Sequence, residues 1–202
     1  MPGFSVECLE IAPPAERGLL LSACMEAEDE LGDELAALWE DWLPALRVRL
    51  VRGSTRPCPG RESYVALWLE QAVEKRVDDL WAVSPSASFT LDSLAQTMCR
   101  CALRELLPRA GESGCLPVPR LTPALGRALE AEGLRDPGAK EDGLFLKRRY
   151  ALVTYYPFRG SCSVCALEKA CPKIPAEGSR ERIAPAPAPE AKCLTRIVNY
   201  GI

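Results

Sequence analysis

Ten cysteines and no histidine occur among the 202 residues of this chain, and this combination limits how it can be stabilised and how it can act. Without imidazole, neither a Ser-His-Asp site nor a Cys-His catalytic pair can form, and a bound metal must be held by sulfur or oxygen. The first residues carry no basic segment ahead of an apolar run, which argues against a secretory signal. We therefore predict a cytoplasmic protein whose cysteines are reduced thiols or metal ligands rather than disulfides.

The net charge of −3 is too small for the whole surface to bind nucleic acid, and no run of about 18 apolar residues predicts a membrane span. Charge is nevertheless uneven. Residues 1–46 carry eleven acidic side chains and one basic one, whereas residues 143–183 carry eight basic and three acidic ones. Two interpretations remain open: the two segments form solvated faces that partly neutralise each other, or the basic segment 147–182 receives an anionic partner.

Apolar residues recur at helical spacing through the first two thirds of the chain. The longest stripe predicts a helix over about 62–83, which Ser84-Pro85 would end, and the next predicts a helix that Thr90 would cap. A threonine-proline start and a glycine end predict a helix over 123–132. The four tryptophans are predicted to pack in the helical core: Trp39, Trp42, Trp68 and Trp81.

Strand signals lie near both ends of the chain. Alternating apolar residues predict a short edge strand over 4–8, and residues 144–158, rich in β-branched and aromatic side chains, predict one long or two short strands. The proline- and alanine-rich segment 175–192 predicts an extended arm, and the apolar stretch 193–202 predicts a further strand.

The predicted fold class is therefore mainly α. A helical domain over 1–142 is followed by a small β and loop region over 143–202, which carries the metal-binding cysteines and the proline-rich arm. The two regions are expected to pack either separately or as one domain.

The spacing of three cysteines is the most informative motif of the chain. Cys162, Cys165 and Cys171 follow the pattern C-x2-C-x5-C and are followed by Pro172. A C-x2-C pair on a tight turn lets two thiolates converge on one centre, and about one and a half helical turns in the spacer return the third sulfur to the same side. Three soft anionic ligands suit an iron–sulfur cluster, with zinc as the alternative, and buried structural thiols are the remaining interpretation.

A fourth ligand is not present in the local motif. Cys193 is predicted, because a proline-rich arm of about twenty residues can fold back over the cluster. Cys58 and Cys115 also lie in predicted loops and remain alternatives. The other four cysteines are predicted to fill the core, two of them lying about 200° apart on a helix: Cys8, Cys24, Cys99 and Cys101.

Residues 148–171 resemble the C-terminal segment of the ferric-siderophore reductases, in which an adjacent cysteine pair, ten residues and a C-x2-C pair hold the cluster. Here Tyr150-Ala151, ten residues, and then Cys162 and Cys165 reproduce that spacing. Because the first pair is Tyr-Ala, the [2Fe–2S] ligand set of the family cannot be completed, and Cys171 would have to be a replacement. The resemblance implies one-electron reduction of a ferric chelate.

The three motif cysteines also resemble the C-x2-C-x5-C part of the [4Fe–4S] loops in endonuclease-III-like glycosylases and iron–sulfur-stapled exonucleases. The glycosylases place a further cysteine six residues before the motif, where this chain has Tyr155. The exonucleases bring the remaining ligand from a distant part of the chain. Neither a helix-hairpin-helix glycine loop nor an ordered nuclease motif occurs here, so this resemblance implies a [4Fe–4S] cluster in preference to [2Fe–2S] but no nuclease activity.

Two functions follow from these observations. In the first, the chain is a small iron–sulfur protein that acts in electron transfer, with Cys162, Cys165, Cys171 and Cys193 as ligands and a ferric siderophore as the implied acceptor. Four basic side chains would stabilise the anionic cluster and attract an anionic acceptor: Arg148, Arg149, Arg159 and Lys169. In the second, the chain is a non-enzymatic adaptor subunit of a larger assembly, with iron–sulfur or zinc as a structural staple. A redox partner or a protein complex is expected in either case.

Overall fold

The computed structural model describes residues 4–16, 29–53, 63–110, 115–139, 144–160, 162–171 and 195–198. These residues form four α-helices and five β-strands, so the fold is mixed α/β and the prediction of a mainly α fold is wrong. The helices are α1 (Asp29–Trp42), α2 (Gln71–Trp81), α3 (Pro85–Leu106) and α4 (Pro123–Ala131). The strands are β1 (Phe4–Leu9), β2 (Leu46–Gly53), β3 (Ser63–Leu69), β4 (Ala151–Tyr156) and β5 (Thr195–Val198).

The five described strands form one antiparallel sheet in the order β4-β3-β2-β1-β5. Strand β3 lies between β2 and β4, with Leu67 opposite Val48 on one side and Leu152 on the other. Strand β1, predicted at an edge, lies inside the sheet because β5 pairs with its outer side. Segments from before and after residue 143 therefore build the same sheet.

Helices cover both faces of this sheet. On one face α1, α2 and α3 pack over Val65 and Leu67 in the larger core, and on the other face α4 packs over Ala66 and Trp68 in a smaller core. Because β3 is covered on both sides, every residue from Tyr64 to Leu69 is buried. None of the described helices is both long and apolar enough to cross a membrane.

The helix predicted over 62–83 is two elements, strand β3 and helix α2, joined at Glu70 in an extended conformation. The apolar residues that suggested one helix, such as Val65 and Leu69, are four apart, and an interval of four places residues on the same face of a strand as well as of a helix. A strand that is buried on both faces also lacks the polar alternation that would have identified it. Strand β2 was not predicted either.

The ends of the helices depend on local signals. Helix α4 confirms its prediction: Leu125 N donates to Thr122 Oγ1 at 3.2 Å, Pro123 opens the helix, and Gly133 follows with φ 69°. Helix α3 begins earlier than predicted, because Ser84 is its N-cap rather than a stop signal, with Oγ accepting from Ala87 N at 3.5 Å.

The burial of the tryptophans agrees with the prediction except at the end of α2. Trp39, Trp42 and Trp68 are buried as predicted, with Trp39 wholly enclosed. Trp81, in the last turn of α2, is 59% exposed, so its prediction as a core residue is wrong. Val83 and Phe89, which follow it in the chain, are also exposed.

Candidate metal centre

The cysteine loop, residues 162–171, follows β4 as two short 3-10 helices, Cys162–Val164 and Glu168–Ala170. Cys165 N donates to Cys162 O at 3.1 Å, which closes the predicted turn between the first two cysteines. The spacer is also turned, since Ala170 N donates to Leu167 O at 3.0 Å, and Cys171 directly follows it. The local conformation is therefore a pair of consecutive tight turns with a cysteine at each boundary.

Tyr155 fixes the cysteine loop to the sheet. Its ring is buried on β4 and lies 5.6 Å from the ring of Tyr64, centroid to centroid. Its hydroxyl donates to Val164 O at 2.8 Å and accepts from Arg120 N at 3.2 Å. One side chain thus joins the strand, the cysteine turn and the segment before α4.

That segment, residues 115–120, gives the loop a second support. Ala166 N donates to Val118 O at 2.8 Å, and Thr154 Oγ1 of β4 donates to Pro117 O at 3.0 Å. Cys115 is exposed and lies three residues before Val118, the residue that accepts a backbone hydrogen bond from the cysteine loop. Of the two alternative fourth ligands, Cys115 is the one that the structure describes, and its segment contacts the cysteine loop.

The motif cysteines differ in their surroundings. Cys162 is exposed, Cys171 is partly buried and Cys165 is buried. Among the residues that the structure describes, no three cysteine or carboxylate side chains are arranged so that they could hold a metal ion. The turn joins two motif cysteines through the backbone, and the convergence of a full ligand set stays a prediction. Cys193 and Cys58 lie outside the described residues.

Two of the four predicted core cysteines lie in or against the larger core. Cys99 is buried in α3 and its thiol donates to Tyr150 O at 3.3 Å, and Cys101 is half-buried against the same core, as predicted. Burial, with a smaller contribution from Cys101, raises the pKa of Cys99 to about 12. Cys8 is half-buried on β1, and Cys24 lies outside the described residues.

The raised pKa of Cys99 can be tested through the pH dependence of the protein's stability. The unfolded thiol loses its proton from about pH 9, whereas the folded one keeps it, so the free energy of unfolding should fall as pH rises through this window. We expect the wild type to lose about 1.4 kcal/mol more stability between about pH 8 and pH 10 than Cys99→Ala does, measured by urea unfolding. Equal losses in the two proteins would contradict the assignment.

The basic residues predicted near the motif do not all lie there. Arg149 Nη2 lies 2.7 Å from Asp78 Oδ1 of α2, and the hydrogen bond to this carboxylate is the main reason that the pKa of Arg149 is raised. Lys147 Nζ lies 2.6 Å from Asp136 Oδ1. Both carboxylates lie outside residues 1–46, so these pairs neutralise part of the basic segment but do not join it to the acidic segment at the start of the chain. Lys169 is exposed on the cysteine loop itself.

The pair Tyr150-Ala151, which occupies the place of the reductase cysteines, lies at the start of β4. Tyr150 is buried in the larger core and its hydroxyl donates to Asp92 Oδ1 at 2.7 Å; burial, then this contact, raises its pKa. Ala151 packs against the smaller core, as Val164 of the cysteine loop does. Only the second position of the pair is therefore on the loop's side of the sheet.

Comparisons of the chain with protein-family models, with curated proteins and with solved structures found no match. The site therefore has to be interpreted from its own residues. Sequence reasoning missed the anchoring role of Tyr155 and of segment 115–120. Neither has a local signal, because both act through contacts between distant parts of the chain.

Removing the Tyr155 hydroxyl should loosen the cysteine turn. Tyr155→Phe keeps the ring against Tyr64 but loses both hydrogen bonds, of which the one to Val164 O holds the cysteine turn and contributes about 1 kcal/mol. In metal-free protein we expect Cys165 to be alkylated about fivefold faster, measured by mass spectrometry of the modified peptide. Tyr156→Phe, on the next residue of β4, is the matched control and should leave the rate unchanged. An unaltered rate in Tyr155→Phe would show that the turn holds without the clamp.

Proposed function

We propose that this chain binds a metal centre at the cysteine loop, an iron–sulfur cluster in preference to zinc, and acts in electron transfer. The observation that carries the proposal is the closed turn from Cys162 to Cys165, held against the sheet by Tyr155 and Val118. A turn held from outside keeps the backbone of the two cysteines close together whether or not a metal is bound. Such preorganisation lowers the conformational cost of binding.

The ligands that we propose are Cys162, Cys165 and Cys171, with Cys193 as the fourth. Cysteine thiolates are the usual ligands of iron–sulfur clusters, which accept and donate single electrons. The half-buried Cys171 and buried Cys165 would keep water from the inner side of the site, while the exposed Cys162 faces the solvent where a partner can approach. The cationic group of Lys169 on the same loop would offset part of the negative charge of the thiolates.

The acceptor that we propose is a ferric chelate, as the reductase resemblance implies. Its Fe(III) would take one electron and become Fe(II), and a reduced flavin or ferredoxin-type donor would have to supply that electron. We expect two basic residues to attract an anionic chelate. They are Arg159, which lies just before the cysteine loop, and Lys169 within it.

A second candidate is an adaptor subunit in which the metal is a structural staple. The exposed side chains of Trp81 and Phe89, which line the same recess, favour it, because exposed apolar side chains that lie together are typical of interaction surfaces. Under this alternative the centre need not change oxidation state, and zinc serves as well as iron.

The experiment is metal analysis with an absorption spectrum on anaerobically purified protein. Electron transfer predicts stoichiometric iron and a broad visible band that bleaches with dithionite, whereas colourless protein with stoichiometric zinc supports the adaptor. Cys171→Ser should abolish the metal, and Cys193→Ser should lower it only partly if Cys58 or Cys115 can substitute. Full occupancy in Cys171→Ser would remove that residue from the ligand set, and protein with neither metal would contradict the proposal.

A further inference from the structure

The turn at the start of the cysteine loop brings two cysteines together without requiring a metal. Cys165 N donates to Cys162 O at 3.1 Å, and both residues are free thiols in the structure. A four-residue turn places its first and last Cα atoms within about 7 Å of each other. Disulfides join cysteines whose Cα atoms are about 4.4–6.8 Å apart. The backbone of this turn is therefore compatible with a bond between the two sulfurs.

The two cysteines differ in exposure. Cys162 is exposed and Cys165 is buried. Thiol–disulfide exchange starts when an accessible thiolate attacks an external disulfide, and it ends when a neighbouring thiolate attacks the resulting mixed disulfide. Cys162 can meet a dissolved disulfide, whereas Cys165 is shielded from one but lies within the same turn. Their positions are thus those of a reactive and a resolving thiol.

Two hydrogen bonds hold the backbone around Cys165. Val164 O accepts from the hydroxyl of Tyr155 at 2.8 Å, and Ala166 N donates to Val118 O at 2.8 Å. The buried cysteine lies between these two fixed residues, so its backbone keeps its place in the turn. A resolving group that is already positioned reacts as if it were present at a high local concentration. The second step of the exchange should therefore outrun any competing reaction of the mixed disulfide with a thiol from solution.

We propose that Cys162 and Cys165 of the metal-free chain form a reversible dithiol–disulfide couple that exchanges with low-molecular-weight disulfides. The thiolate of Cys162 attacks one sulfur of such a disulfide, whose S–S bond breaks, so that a mixed disulfide forms and one small thiolate leaves. The thiolate of Cys165 then attacks the Cys162 sulfur and releases the second small thiolate. The pair is oxidised by two electrons and loses two protons, and the small disulfide takes up both to become two thiols.

The couple has a consequence for the metal centre, and this consequence alone rests on the proposed function. A metal is bound by thiolates, so the disulfide removes two of the proposed ligands at once. A bound metal in turn keeps both sulfurs from exchanging. Oxidation of the pair would therefore control whether the cysteine loop can be loaded.

The test is equilibration of the full, metal-free, reduced chain with buffers that contain oxidised and reduced glutathione in varied ratio. After acid quenching and alkylation, peptide mass spectrometry locates each disulfide. In the wild type a Cys162–Cys165 disulfide should form and should disappear again when the ratio is lowered. The proposal is overturned if no ratio produces this disulfide, or if the bond joins one of the pair to Cys115 or Cys171 instead.

Two serine variants separate the roles of the pair. Cys165→Ser lacks the resolving thiol, so glutathione should accumulate on Cys162 to at least about ten times its wild-type level. Cys162→Ser lacks the reactive thiol, and the buried Cys165 should stay unmodified. Cys101→Ser, at a half-buried position on α3, is the control and should form the disulfide as the wild type does. Equal modification of the remaining cysteine in the two variants would contradict these roles, and circular dichroism checks that each variant folds.

Metal loading distinguishes the couple from the metal centre. The oxidised wild type should take up no stoichiometric iron or zinc until a thiol reductant opens the disulfide. If the reduced chain forms the disulfide but binds no metal, the metal centre is wrong and the couple stands. If it binds metal but never forms the disulfide, the couple is wrong and the metal centre stands.

Discussion

Replacing Trp39 by alanine is expected to lower the free energy of unfolding by about 3–5 kcal/mol. The side chain lies in α1 and is wholly buried in the larger core, so the substitution opens a cavity that the surrounding side chains only partly fill. It also removes a hydrogen bond, because the indole nitrogen donates to Pro13 O at 2.9 Å. Domains of this size have a total stability of about 5–15 kcal/mol, so the loss is a large part of it.

Urea unfolding followed by circular dichroism measures this loss. Trp81→Ala is the matched control: it removes the same side chain from an exposed position on a helix, and its effect should stay within about 0.5 kcal/mol. Trp39→Phe separates the two contributions, since it keeps most of the volume and loses the hydrogen bond to Pro13. A small effect of Trp39→Ala would mean that α1 does not pack on the sheet as described.

Removing both cysteines of the turn should abolish metal binding and leave the rest of the molecule folded. In Cys162→Ser with Cys165→Ser we expect no stoichiometric iron or zinc, because the pair that starts the ligand set is gone. The two hydrophobic cores consist almost entirely of residues outside the cysteine loop, so the sheet and its helices should keep their circular dichroism.

Cys101→Ser is the control for this experiment, because Cys101 is half-buried on α3 and is not a predicted ligand. It should keep the metal content of the wild type. Two outcomes would contradict the expectation: full metal occupancy in the double variant would move the site elsewhere, and complete loss of helix would show that the metal holds the whole fold together.

Local chemistry was sufficient for some elements of this protein. Thr122, Pro123 and Gly133 mark the two ends of α4 because a cap, a proline and a left-handed glycine act within one turn of the chain. The turn between Cys162 and Cys165 was predicted in the same way, from spacing alone, and the hydrogen bond between these residues is present. Such features depend on neighbours a few residues away, and the sequence contains those neighbours.

The fold class depended on contacts that the sequence does not show. Residues 63–69 and 71–81 share one apolar stripe at intervals of four, and only the pairing of β3 with β2 and β4 makes the first part a strand. Likewise, nothing in the pattern around Tyr155 indicates that its hydroxyl lies against the cysteine turn and a segment 35 residues away, at Arg120. The sequence by itself determined the capped ends, the tight turns and the set of candidate ligands. Sheet pairing, the exposure of Trp81 and the clamp on the loop were decided by the tertiary structure, because burial depends on which distant segment covers a residue.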